Sequence, residues 1–196
     1  MALYKIWISR CSNLKSIPDG LNTLRSLREI SVWSCQDLVS FPKGGFPNKE
    51  GFPANLSFLK ISSPNLYKPP TNLGFHNLTS LKELNIHELA DAESFHEEEM
   101  EMTFPPTLTS LSMYNFPKLK CLSCKSLENL TSLEYLWFIN CPELTYLPNL
   151  PSSLLRLYIN GCPLLKEACK RDKGKEWYKI ADIPYVQIDE KFIYDP

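Results

Sequence analysis

Cysteine is the residue type in this chain with the clearest capacity for chemistry. Seven are present: Cys11, Cys35, Cys121, Cys124, Cys141, Cys162 and Cys169. Thiolates bind soft metals and attack disulfides, and the C-x-x-C of Cys121 and Cys124 is a spacing that serves either purpose. No second pair follows at zinc spacing, and His76, His87 and His96 are scattered. A metal or redox site is therefore not expected there, and the pair reads as gap filling beside Leu119 and Leu122. Gly44-Gly45 is no phosphate cradle, because no Gly-Lys-Ser/Thr follows it. No Ser/His/Asp set or carboxylate pair stands in a recognisable context, so neither enzymatic activity nor a cofactor is expected.

Four of the remaining five cysteines belong to a repeat. Leu3 to Cys11, Leu27 to Cys35, Leu133 to Cys141 and Leu154 to Cys162 all read L-x-x-Φ-x-Φ-x-x-C, with Φ apolar. Weaker copies lie at Leu56 to Ile61, Leu81 to Ile86 and Leu108 to Met113. The second apolar position falls at Ile6, Ile30, Leu59, Leu84, Leu111, Leu136 and Leu157, at intervals of 24, 29, 25, 27, 25 and 21. That period is the one leucine-rich repeats show. After the cysteine, Leu14, Ile17 and Pro18 are echoed by Leu38, Phe41 and Pro42 and by Leu144, Leu147 and Pro148. Pro53, Pro105 and Pro151 each stand three residues before a repeat's first Leu, outside the strand, where a missing N–H does no harm.

These elements predict an α/β repeat solenoid: a leucine-rich-repeat horseshoe with one short parallel strand per repeat and a mostly irregular or 3-10 convex side. About seven repeats fill residues 1–162, with strands near 5–8, 29–32, 58–61, 83–86, 110–113, 135–138 and 156–159. A C-terminal cap and tail occupy 163–196, with a helix over Pro163 to Lys173 and Trp177, Ile180, Ile183, Val186 and Ile188 as the plug. The cysteine at each turn reads as a small buried residue with a weak S–H donor. His96-Glu-Glu-Glu-Met-Glu-Met102 reads as a solvated acidic loop, and Gly44-Gly45 as another loop.

Within each strand, the neighbours of the buried pair face the other way, onto the expected concave wall. Those positions hold Trp7, Trp33, Phe58, Tyr114, Tyr135, Trp137 and Tyr158, seven aromatics among 21 residues against 12% aromatic in the whole chain. Strands favour aromatics in any case, and some rings cover neighbouring strands. Exposed Trp, Tyr and Arg also dominate protein–protein hot spots, so these seven rings and Arg156 are the candidate protein-binding residues.

Composition narrows the partner. The chain has 196 residues, 21 Lys plus Arg against 22 Asp plus Glu, a net charge of -1, 16 Pro and 7 Gly. That balance does not suit a nucleic-acid track. No run of 18 apolar residues exists, so membrane insertion is not expected. Lys5, Arg10, Lys15 and Asp19 make the first twenty residues unlike a secretory signal.

The C-x-x-L-x-x-L-P repeats, the P-x-x-L-x-x-L-x-I lead-ins and the ending C-P-L-L-K-E-A-C … G-K-E-W-Y-K-I-A-D-I-P-Y-V-Q-I-D resemble the C-terminal leucine-rich-repeat region of plant coiled-coil nucleotide-binding disease-resistance proteins. The resemblance covers nearly the whole chain, although the family often has Pro where Tyr178 stands. It implies cytoplasmic pathogen surveillance, with a pathogen effector or a host guardee as partner. It also implies a contact with the nucleotide-binding domain of the same receptor, held inactive by the repeats. No Walker A loop is present, so nucleotide binding is not carried over. The chain starts inside a repeat at Leu3, as a fragment or a truncated paralogue would. Two alternatives stand beside this reading. One is an extracellular leucine-rich-repeat receptor segment, suggested by sequons at Asn55, Asn77 and Asn129. The other is the substrate adaptor of a ubiquitin ligase.

Overall fold

The computed structural model describes residues 2–38, 52–62, 75–87, 94–95, 104–122 and 127–194. In chain order its strands and helices are β1 (Lys5–Ser9), β2 (Glu29–Trp33), β3 (Phe58–Ser62), β4 (Glu83–His87), β5 (Ser94–Phe95), β6 (Ser110–Tyr114), β7 (Cys121–Leu122), β8 (Tyr135–Ile139), β9 (Arg156–Asn160), α1 (Pro163–Ala168), α2 (Trp177–Ile180), β10 (Tyr185–Ile188) and β11 (Lys191–Phe192). One sheet runs β1-β2-β3-β4-β6-β8-β9-β10-β11. Its pairings are parallel through β10, and β11 closes it antiparallel. The chain is a parallel-strand solenoid of leucine-rich repeats with little helix, its seven repeat strands each ending one residue later than expected.

Register aligns the repeat copies. Ile6, Ile30, Leu59, Leu84, Leu111, Leu136 and Leu157 lie side by side, as do Ile8, Val32, Ile61, Ile86, Met113, Phe138 and Ile159. From Ile30 onward both rows are sealed into one continuous core, whereas Ile6 and Ile8 on the outermost strand are only partly buried. Each buried Leu or Ile contributes about 2 kcal/mol relative to an exposed one, but only when the next coil covers it.

Two turns recur in each coil and explain the sequence signals. Before a strand, the first Leu donates its N–H to the carbonyl three residues back: Leu56 to Pro53 and Leu154 to Pro151 at 3.1 Å, Leu81 to Leu78 at 2.9 Å, Leu133 to Leu130 at 3.0 Å. Proline serves there because only its carbonyl is used. After the strand, Leu14, Leu38 and Leu144 donate to the carbonyls of Cys11, Cys35 and Cys141, each at 3.2 Å. This is the C-x-x-L signature. Between the turns on the far side, single 3-10 turns form at Leu21–Thr23 and Phe75–Asn77.

The residue before each cysteine position turns the chain off the sheet. Arg10, Ser34, Asn115, Asn140 and Gly161 all have left-handed backbone, with φ between 54° and 65°. Asn and Gly suit this conformation. Asn140 also donates its side-chain amide to Asn115 Oδ1 at 3.0 Å, linking two turns. Immediately beyond, the Cys35, Cys141 and Cys162 thiols are buried and hydrogen-bond strand carbonyls: Cys35 to Trp33, Cys141 to Ile139, Cys162 to Phe138 and Asn160. Cys141 N–H lies 3.4 Å from Cys162 Sγ, so the sulfur accepts as well as donates. Cys11 makes the same bond to Ser9 but is exposed. Phe116 fills the equivalent place after β6 and is fully buried.

The cap differs from the expected single helix. α1 stops at Ala168, and Gly174 N–H returns to the Lys170 carbonyl at 2.7 Å. The chain then forms α2. From it, buried Glu176 accepts Leu147 N–H at 3.1 Å and the Lys179 ammonium at 2.8 Å, while Lys179 donates to the Leu147 carbonyl at 2.6 Å. This ion pair thus satisfies both backbone groups of one repeat residue. Val186 and Ile188 are buried as plug residues, but they sit on a true strand that pairs in parallel with β9. A small second ladder joins β5 to β7. Cys124, Gly44-Gly45 and the acidic stretch His96 to Met102 lie outside the described residues.

Substitutions at Leu136 and Gly161 test this packing. Leu136→Ala is expected to lower unfolding free energy by about 2–5 kcal/mol in denaturant melts, and Leu136→Asp to abolish cooperative unfolding. A cooperatively melting Leu136→Asp protein would place that side chain outside the core. At Gly161 a Cβ would stand 2.4 Å from Asn140 Oδ1 on a backbone with φ 65°. Gly161→Ala should therefore cost about 1–2 kcal/mol in the same assay, whereas Leu164→Ala on the exposed face of α1 should cost much less.

Candidate functional site

The sheet has an open face whose side chains form three rows across the strands, fixed by register. One row runs Lys5, Glu29, Phe58, Glu83, Ser110, Tyr135, Arg156, Tyr185. The middle row runs Trp7, Ser31, Lys60, Asn85, Ser112, Trp137, Tyr158, Gln187. The third runs Ser9, Trp33, Ser62, His87, Tyr114, Ile139, Asn160. All eight candidate residues lie on this face. Trp7 is 65% exposed and Arg156 is exposed, while Trp33, Phe58, Tyr114, Tyr135, Trp137 and Tyr158 are half-buried. None is part of the core.

The structure groups them differently from their order in the sequence. Strand spacing of about 4.8 Å lets rings on neighbouring strands stack. Trp137 lies flat on Tyr158 at 5.2 Å and against Tyr135 at 5.7 Å. The run continues through Tyr185, 5.5 Å from Tyr158, to Phe192 at 5.1 Å. Arg156 sits over this surface, 5.8 Å from the Tyr135 ring and 5.6 Å from that of Tyr185. Tyr114 is not part of this cluster; it stacks on His87 at 4.2 Å. Trp7 and Trp33 are likewise separate. Trp7 takes Lys5 at 5.3 Å, and Lys5 is tied to Glu29 at 2.7 Å. Trp33 is flanked by Arg10 at 5.4 Å and Lys60 at 5.7 Å.

Three members of this surface escape a repeat-based reading. Tyr185 and Phe192 belong to the cap, yet β10 extends the sheet and carries them onto the same face. The alternation Tyr-Val-Gln-Ile over Tyr185–Ile188 was the available signal. Arg10 follows the strand and leaves it through a left-handed turn, and nothing in its spacing announces that it reaches back to the ring of Trp33.

The fold also shifts a titratable group of this face, His87. Burial, with the nearby Lys60 ammonium second, pushes it down to about 4. The imidazole is therefore neutral at physiological pH. A lowered folded value means that stability is complete above the unfolded value near 6.5 and is lost as pH falls toward 4. His87→Phe, which keeps a ring against Tyr114, should flatten the fall in melting temperature between pH 6.5 and 4. In an NMR titration the wild-type His87 ring should stay neutral at pH 5.5; protonation near 6.5 would contradict the assigned burial.

No protein-family model matches the chain. Curated relatives do. The protein named “Putative disease resistance protein At3g14460”, from Arabidopsis thaliana, is 32% identical over 193 residues, which covers 95% of this chain and 13% of the relative. “Disease resistance protein RPS4B”, also from Arabidopsis thaliana, is 27% identical over 201 residues, 83% of this chain and 17% of the relative. The chain thus spans less than a fifth of the length of either protein. With its in-register strand ladder and C-x-x-L turns, the chain is a leucine-rich-repeat solenoid whose homologues, along most of its length, are plant disease resistance proteins.

Proposed function

We propose that this chain is the protein-recognition part of an intracellular plant immune receptor, that it acts by binding rather than catalysis, and that its partner is a pathogen effector or a host protein that the effector modifies. In the complete receptor it also restrains the nucleotide-binding switch. The observation that carries this reading is the continuous run of ring contacts through Tyr135, Trp137, Tyr158, Tyr185 and Phe192 beside Arg156 on the open face. A solenoid needs aliphatic side chains inside its coils, but nothing in coil stacking calls for five rings in a row outside them. Large rigid rings with a guanidinium among them bind protein surfaces at small entropic cost. A cytoplasmic setting is supported by Cys35, Cys141 and Cys162, which are buried and hydrogen-bonded as thiols. Among the described residues no helix is long and apolar enough to cross a membrane.

Proximity labelling in infected plant tissue, with the chain in its receptor context, tests the reading. Trp137→Ala and Tyr158→Ala should each remove the labelled partner, a loss of about 2 kcal/mol or more in binding. Far-UV circular dichroism should be unchanged, and unfolding free energy should fall by only about 1 kcal/mol from lost stacking. An unchanged set of labelled proteins in the double variant would overturn the assignment.

A further inference from the structure

The open face has an uneven charge balance that composition conceals. One ion pair of this face cancels internally, Lys5 with Glu29 at 2.7 Å. Among the described residues, Arg10, Lys60 and Arg156 lie against aromatic rings and none is paired with a carboxylate, Arg156 having the Tyr158 hydroxyl as a further partner. Glu83 is the acid left on the strands of this face. Its row places it beside Phe58 and Ser110, diagonal to Lys60 on β3 and away from Arg10 and Arg156.

The cations form two separate anchors. At the first, Arg10 and Lys60 approach the ring of Trp33 on β2. Two cations beside one ring match a carboxylate, which accepts several hydrogen bonds at once. At the second anchor, Arg156 lies between the rings of Tyr135 and Tyr185 with the Tyr158 hydroxyl as a partner, and its exposed guanidinium keeps further N–H donors for another carboxylate. Neutral His87 adds no competing charge between them.

The geometry points to an extended acidic segment of a partner protein as the occupant of this face, one carboxylate seated at Arg10, Lys60 and Trp33 and a second at Arg156. This rests on the protein-recognition reading above and specifies the partner's chemistry. β2 and β9 are five strand steps apart, and Trp33 and Arg156 lie at opposite ends of their strands. At about 4.8 Å per step and about 3.3 Å per residue along a strand, the anchors are roughly 27 Å apart. An extended chain spans that with about eight residues. The occupant therefore crosses the strands obliquely, with acidic residues about seven or eight positions apart and apolar or aromatic side chains toward the Trp137–Tyr158 stack.

Selection of randomised twelve-residue peptides on the full chain tests this directly. Selected peptides should be enriched in Asp or Glu at two positions seven or eight apart, and Gln or Asn at either place should weaken binding about tenfold by fluorescence anisotropy. Arg10→Gln with Lys60→Gln should erase the preference at one position, and Arg156→Gln at the other. Circular dichroism should show that each variant folds. Selection of basic or purely apolar peptides, or of none, overturns the acidic-segment proposal. So does an acidic preference that survives both sets of substitutions. In each of these cases partner labelling dependent on Trp137 would still uphold the recognition reading, whereas loss of that dependence would sink the reading itself.

Discussion

The structure depends on one constraint: no coil of this chain can hide its own apolar side chains. A five-residue strand with two aliphatics pointing inward has nothing beneath it until the next coil arrives. Leu136 is fully buried because Leu111 and Leu157 stand on either side of it. The same dependence appears in reverse at β1, where Ile6 and Ile8 keep partial exposure and Cys11 loses the cover that Cys35 and Cys141 enjoy. Stability is therefore transmitted from neighbour to neighbour, and the ends of the array are where the physics changes.

At the C-terminal end that problem has a specific solution. The tail adds a strand in register with β9, so Val186 and Ile188 continue the two aliphatic rows. Antiparallel β11 then covers the outer edge of β10, where a parallel repeat would leave an open one. The Glu176–Lys179 pair attends to a different loose end, the polar backbone of Leu147 at the far side of the coil. A buried ion pair is no strong source of stability in itself. Its value here is geometric, since one turn of α2 presents a donor and an acceptor to a residue that otherwise would face the cap unpaired.

How much of this could be read from residues follows from which signals are local. The inward rows were legible because leucine spacing reports directly on stacking, and the C-x-x-L and P-x-x-L signatures proved to be hydrogen-bonded turns. The cap was legible only in part. Val186 and Ile188 read as apolar plug residues, but strand pairing with β9 bridges nearly thirty residues and leaves no periodic trace. Helix length was overestimated because Leu164, Leu165 and Ala168 mark a face without marking its end. Alternation put all eight candidate residues on one face of the sheet, as the register has them, yet it could not say which rings stack. That depends on register between strands and on side-chain reach, as Arg10 over Trp33 shows.

The two faces of the sheet are consequently under unequal demands. Inward positions must be aliphatic and of nearly constant size, since any change opens a void or a clash shared by three coils. Outward positions meet no such requirement, and parallel spacing near 4.8 Å allows rings there to stabilise one another while remaining at the surface. A ring held between two others has already lost most of its rotamer freedom, so a partner that lands on it finds a preorganised surface. The feature that makes the outer wall stiff is thus the feature on which the proposed recognition role would draw. Variation along that wall changes the surface it presents without disturbing the coil beneath.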